Sequence, residues 1–200
     1  MSCIEHCLEI FQGPPGPQGP TGQRGPQGPP GTSTPGTIVI PLSSYGELYL
    51  GRRDETLEIH TMGFGVGVGV STLVPGTTIN DPQVMGWPTP FKCKLAQIDA
   101  HFTLMFTDSV PEPVNVQAVI WCETGAETGE FKEIAYITLT PEITATTPLD
   151  SIFAATGMFD ISVEAQRLVV FGFRLATAST PVTTSGIGHG SYVLVPDDNI

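Results

Sequence analysis

Glycine occupies every third position of one segment near the amino terminus, and this spacing constrains the fold more than any other feature. The segment reads GPPGPQGPTGQRGPQGPPG, with glycines at Gly13, Gly16, Gly19, Gly22, Gly25, Gly28 and Gly31. Three polyproline-II chains wind together only where the residue at their common axis lacks a side chain, so this proline-rich Gly-X-Y period predicts a collagen triple helix. A flexible Pro/Gly linker needs no such period. The segment therefore predicts a homotrimer.

Residues 13–31 are too short to hold three chains together alone. At about 3.1 Å per residue the triple helix is roughly 56 Å long, and ordering its backbone costs on the order of 1 kcal/mol per residue. Another part of the chain must align the three copies. We therefore divide the sequence into a tail (1–12), a triple helix (13–31), a connector (32–36) and a C-terminal trimerisation domain (37–200).

The tail carries four large apolar side chains, Ile4, Leu8, Ile10 and Phe11, among acidic residues. Such a leader is often disordered, but an extended segment can also add to a sheet edge of another molecule and bury alternate side chains. If the receiving site lies on the next trimer, the head-to-tail contact does not close and produces a filament. We predict docking by these four residues, with Cys3 and Cys7 as candidates for an intermolecular disulfide.

Beyond residue 36 the sequence changes to short β-rich segments separated by Gly, Pro, Asn and Asp, with no amphipathic helix. In residues 94–106, alternation groups Leu95 with Gln97 and Asp99 on one face. About eight to ten strands without a helix predict an all-β, two-sheet sandwich of jelly-roll type. The strands are predicted at 37–42, 55–61, 63–70, 94–106, 114–122, 131–140, 160–163, 167–177 and 190–195, with a long loop at 72–90.

Charge and hydropathy exclude several classes of partner. The formal net charge is −12 with only 8 Lys and Arg residues, which argues against nucleic acid or an anionic membrane as a partner. No apolar run reaches the roughly 18 residues needed to span a bilayer. The amino terminus has neither a basic region nor a long apolar core, so we expect a protein made without a secretory signal peptide.

We predict no catalytic residue, no cofactor and no metal site, and hence not an enzyme. His60 and His101 lie in predicted strands and are expected to face solvent or to have satisfied hydrogen bonds. Threefold symmetry could bring three copies of His189 to an axis, and three imidazoles can bind a metal, but the sequence offers no further ligand. Ser191 lacks the strand-turn-helix context of a nucleophile. Cys93 and Cys122 are expected to be buried free thiols.

The β domain contains several short sequence motifs that are typical of packing positions. They are GFG at Gly63–Gly65, F-x-x-x-L-A-x-I-x-A-x-F at Phe91–Phe102, TLTP at Thr138–Pro141, RLVV at Arg167–Val170 and G-x-G-x-G-S-Y at Gly186–Tyr192. Together with the leader and the Gly-X-Y segment, they make nearly the whole chain resemble the collagen-like exosporium proteins of bacterial endospores. The motifs are packing signatures and carry no chemistry.

This resemblance implies a trimeric jelly roll like the heads of tumour necrosis factor and complement C1q, located at the spore surface. Synthesis in the mother cell would explain the absent signal peptide. Two departures, only six triplets and no usual targeting leader, favour a repeating fibre subunit over a terminal tuft. We expect homotrimers joined head to tail, with other spore-surface collagen-like proteins as further partners. The alternative is a trimeric adhesin or phage tail-fibre tip that binds a glycan or host receptor through residues 72–90 and 123–130.

Overall fold

The computed structural model describes residues 36–44, 46–53, 56–62, 67–73, 79–80, 86–108, 110–125, 130–176 and 181–197. These residues form strands and connections and contain no helix, hence none that could cross a membrane. The strands are β1 (Ile38–Ser43), β2 (Leu48–Arg53), β3 (Thr56–Met62), β4 (Gly67–Leu73), β5 (Ile79–Asn80), β6 (Trp87–Pro88), β7 (Cys93–Thr107), β8 (Val116–Glu123), β9 (Glu130–Thr138), β10 (Ile152–Val163), β11 (Leu168–Leu175) and β12 (Val182–Pro196).

The strands pair antiparallel throughout and build two layers. In the front sheet, β12 lies between β7 on one side and β1 and β2 on the other, and β10 pairs with the far edge of β7. The back sheet has the order β3, β11, β8, β9, β5, with β4 added to β3 and β6 to β11. The layers join where β2 pairs with β3. This arrangement confirms the predicted all-β class and is consistent with a sandwich of jelly-roll type.

The core lies between the two sheets and follows the period of two expected for strands. In β11, Val169, Phe171, Phe173 and Leu175 face it, and in β7 Ile98, Ala100, Phe102 and Leu104 face it. Phe171 and Phe173 meet edge to face with ring centroids 5.4 Å apart. Because each strand alternates, the residues between these point to the outer faces of the sheets, where the candidate functional residues lie.

Glycines on β12 make room for large aromatic rings of the core. A Cβ at Gly186, Gly188 or Gly190 would lie 2.4 Å from a ring atom of Phe102, Phe173 or Phe171, respectively. The absent side chains therefore leave room for large rings from the core. These inward glycines also determine that Ile187, His189 and Ser191 point outward.

The structure corrects several details of the predicted strands. β2 was not predicted, β10 starts at Ile152 instead of residue 160, and β12 starts at Val182 instead of residue 190. The segment 72–90, predicted as a loop, includes the end of β4 and the short strands β5 and β6. Leu95 faces the core with Ile98, because a β-bulge next to Gln97 shifts the alternation that had placed Leu95 beside Gln97 and Asp99.

Candidate functional site

The outer side of the front sheet, here called the front face, is open to solvent and carries the features with functional potential. Its side chains stand in rows set by the strand register. One row contains Ile152, Thr103 and Ile187, and another contains Met158, Gln97, Val193 and Val39. Ile152, Met158 and Val39 are 63%, 73% and 57% exposed. Each row thus presents large apolar side chains to solvent, and these side chains are candidate contact points for another molecule.

Between these two apolar rows lie two polar ones. His101 of β7 stands directly opposite His189 of β12, flanked by Ala154 and Ser43. The imidazole rings of His101 and His189 stack with centroids 4.8 Å apart and planes 24° from parallel. Partial burial, and secondarily the neighbouring His189, lower the pKa of His101. The pair is therefore held close on the surface by the backbone register alone.

The next row contains Thr156, Asp99 and Ser191. The carboxylate of Asp99 accepts hydrogen bonds from Gln97 Nε2 at 2.6 Å and Thr156 Oγ1 at 2.7 Å. These two donors fix the orientation of the carboxylate on the sheet surface. With the histidine pair, this row lines an open depression of about 470 Å³ whose other walls are the small residues Ala100, Ala154, Ala155 and Gly190.

Aromatic residues mark the far end of the front face. Tyr49 of β2 and Phe106 of β7 lie on either side of Ser185 and are about half exposed. Glu47 accepts hydrogen bonds from the hydroxyl groups of Ser185 and Tyr49. The hydrogen bond to Glu47, followed by its negative charge, raises the pKa of the Tyr49 hydroxyl. This polar network orients the exposed ring of Tyr49.

The residues predicted from sequence to carry function lie outside the described part of the chain. This applies to the docking residues Ile4, Leu8, Ile10 and Phe11, to Cys3 and Cys7, and to the seven triplet glycines from Gly13 to Gly31. Those assignments remain predictions. Within the described residues, Cys93 is a buried free thiol as expected, and Cys122 is free but only half-buried.

Sequence reasoning missed the pairing of His101 with His189. His101 was expected to face solvent, which the structure confirms, but its partner lies far away in sequence and no local pattern links the two. The alternating glycines of Gly186–Gly190 were a usable signal, because they predict that His189 and Ser191 share one face. The strand pairing that brings β7 beside β12 had no comparable signal. In the described part of the chain, no group of three or more His, Cys, Asp or Glu side chains is arranged to hold a metal.

Comparison with known proteins leaves the family open. No family profile matches the chain, and no curated protein is significantly similar to it. A chain in the structure of the infectious bursal disease virus Gx strain aligns with 92% of this chain and 39% of its own length, at 10% identity and a TM-score of 0.35. Since this chain spans 39% of that one and the TM-score is low, the similarity indicates no shared function. The resemblance to exosporium proteins remains a prediction.

Proposed function

We propose that this protein is a self-assembling structural subunit that forms homotrimers, which join head to tail into a fibre on the spore surface. The strict Gly-X-Y period at residues 13–31 carries the proposal. A triple helix is the structure that this period stabilises, and it requires three chains in register. A short rod needs a partner that aligns the chains, and the β domain that follows fills this role.

The front face supports the trimeric part of the proposal. Val39, Ile152 and Met158 are more than half exposed in a single chain, and second and third copies of the chain would cover them. The connector leads from the Gly-X-Y segment straight into β1, which is part of the front sheet. Association of the β domains tethers the three Gly-X-Y segments at one end, which lowers the cost of aligning them into a triple helix.

The tail supports polymerisation. Ile4, Leu8, Ile10 and Phe11 place large apolar groups on a twelve-residue segment that precedes the Gly-X-Y segment. Docking on the β domain of the next trimer buries them and repeats without closing. Cys3 and Cys7 then seal the contact as intermolecular disulfides. The resemblance described above supports the location on the spore surface and other collagen-like proteins as partners at the ends of the fibre.

Electron microscopy of the purified protein tests this proposal. The full chain should form filaments. If the disulfides of Cys3 and Cys7 only reinforce docking, the filaments should persist in reducing agent. Replacing Ile4, Leu8, Ile10 and Phe11 with Ser should leave folded trimers that no longer polymerise. The matched control replaces Glu5 and Glu9 with Gln and should still form filaments. Long filaments from the Ser variant would contradict tail docking, and discrete full-length trimers that bind glycans would favour the adhesin.

A further inference from the structure

We propose that His101 and His189 form a chelating site for a divalent transition-metal ion on the front face. Both ligands belong to one chain and stand at directly opposed positions of β7 and β12. Their side chains are accessible, since His101 is exposed and His189 is half-buried. Both ligands therefore come from one chain, and the proposal requires that contact between copies through the Ile152 and Met158 rows leaves the depression between those rows open to solvent.

The separation of the two rings fits chelation. A metal–nitrogen bond of about 2.1 Å and roughly 1.1 Å from nitrogen to ring centre put each ring centre about 3.2 Å from the ion. Two such ligands at a coordination angle of about 90–110° have ring centres roughly 4.5–5.2 Å apart. The observed separation of 4.8 Å lies in this range. Because the stacked rings are only 24° from parallel, chelation requires the side chains to rotate until a nitrogen of each ring points to the ion; exposed side chains change rotamer readily.

The surroundings of the pair have room for an ion and its water ligands. The depression of about 470 Å³ is lined by both imidazoles and by the small residues Ala100, Ala154, Ala155 and Gly190. Water can complete the coordination of an ion with two protein ligands, as in open metal sites. No third protein ligand is invoked, in keeping with the absence of a three-residue metal cluster among the described residues.

The local charge favours a cation. Asp99 lies in the same depression, and its carboxylate is fixed by Gln97 and Thr156. The nearest lysine along β7, Lys94, is paired with Asp160 at 2.8 Å. The whole chain has a formal charge of −12, so its field attracts cations to the surface. A fixed negative charge in the same depression attracts a cation electrostatically without contacting it.

The chemistry of the ligands determines which ions bind. Neutral imidazole nitrogen suits Zn²⁺, Ni²⁺ and Cu²⁺, and for a given nitrogen site Cu²⁺ binds most tightly. Mg²⁺ prefers oxygen ligands and keeps its water. The site should therefore take Cu²⁺, Zn²⁺ and Ni²⁺ and leave Mg²⁺ in solution.

Zn²⁺ titration by calorimetry tests the site on the full chain. The parent for this experiment carries His6→Gln, His60→Gln, Cys3→Ser and Cys7→Ser, which removes the other two histidines and both tail thiols. His101→Gln and His189→Gln are then introduced singly and together, and thermal unfolding verifies that each variant is folded. The electron paramagnetic resonance spectrum of bound Cu²⁺ supplies a second readout, because it counts the coordinated nitrogens.

The parent should bind one Zn²⁺ per chain, and Cu²⁺ should show coupling to two imidazole nitrogens. Since changes next to a metal ligand already cost 10- to 100-fold in affinity, loss of a ligand should cost at least about tenfold. Binding that is unchanged in either single variant, or a Cu²⁺ spectrum with one imidazole nitrogen, would overturn the proposal. Failure to form filaments would not affect it, because both ligands come from the same chain.

Discussion

The outer faces of the two sheets differ in how they meet solvent. On the back sheet, Val119, Trp121, Phe131 and Val170 form a second apolar cluster that is almost inaccessible within the single chain. On the front sheet, apolar side chains in equivalent outward positions, such as Met158 and Ile152, remain largely exposed. The back cluster is thus covered within the single chain, although its neighbour Tyr136 is 51% exposed, whereas the apolar side chains of the front face have no such cover in the described residues.

The ion pairs of the two sheets also differ in how far they are exposed to solvent. On the outer side of the back sheet, Arg174 is 7% exposed and pairs with Glu133 through two contacts of 2.5 and 3.1 Å, while its Nε donates to Gln117 at 2.9 Å. On the front sheet, Lys94 pairs with Asp160, whose side chain is 78% exposed. On the back face, the buried charge of Arg174 is therefore paired within the single chain. The open front face is therefore the surface we assign to contact between copies.

The largest expected effect comes from truncating the tryptophan of the back cluster. Trp121 is 1% exposed, so Trp121→Ala should lower the free energy of unfolding by about 3–5 kcal/mol. Met158→Ala on the front face should change it by no more than about 0.5 kcal/mol under conditions where the chain is monomeric. Denaturant unfolding at fixed protein concentration measures both. Similar losses for the two variants would show that the faces do not differ.

Loss of the buried ion pair on the back sheet should lower the free energy of unfolding more than loss of the exposed ion pair on the front sheet. Arg174→Ala leaves the carboxylate of Glu133 and the amide oxygen of Gln117 without their buried donor, which should cost about 3 kcal/mol. The matched change on the front sheet, Lys94→Ala, removes a partner of the exposed Asp160 and should cost about 0–1 kcal/mol. The same unfolding assay compares them. If Lys94→Ala were as damaging as Arg174→Ala, solvent exposure would not be what separates the two faces.

A smaller effect tests how the two sheets approach each other. Gly188→Ala adds a Cβ that would lie 2.4 Å from Phe173, and the repacking should cost about 1–3 kcal/mol. Gly46→Ala is the control, because no atom lies within 4 Å of the added Cβ there. Thermal unfolding should separate the two variants. Equal stability would mean that the glycines of β12 are not needed to seat the core rings.

A pH-dependent effect concerns the thiols at the sheet ends. Burial raises the pKa of Cys93 and of Cys122 from 9.0 to about 11. Between pH 9 and 11 these thiols ionise in the unfolded chain but stay protonated in the folded one. The unfolded state then binds fewer protons, so stability should fall as pH rises through this window. The variant Cys93→Ala/Cys122→Ala should show a flatter profile, and an unchanged slope would contradict this assignment.

The sequence was sufficient for the class of fold and for the strands with strong β propensity. β1, β3, β7, β8, β9 and β11 were predicted within a few residues, because their β-branched and aromatic residues alternate clearly. The first half of β12 was missed since VTTSGIGHG lacks that signature, and its glycines are explained only by rings from other strands. Tertiary packing overrides local propensity there.

The candidate site was less predictable than the fold. His101 and His189 become neighbours only through the pairing of β7 with β12, two strands at different places in the sequence. The same holds for the second cluster, since Trp121 and Val170 look like ordinary strand residues and nothing local tells which face is covered. The trimer, by contrast, is predicted from the Gly-X-Y period alone and lies outside the described residues.

Sedimentation equilibrium tests the central claim, that three chains associate through the Gly-X-Y segment and the β domain. The suitable sample is the full chain with Ile4, Leu8, Ile10 and Phe11 changed to Ser, so that filaments do not obscure the mass. Three times the chain mass of 21.2 kDa at micromolar concentration is the predicted result. A single species at the mass of one or two chains would contradict the account.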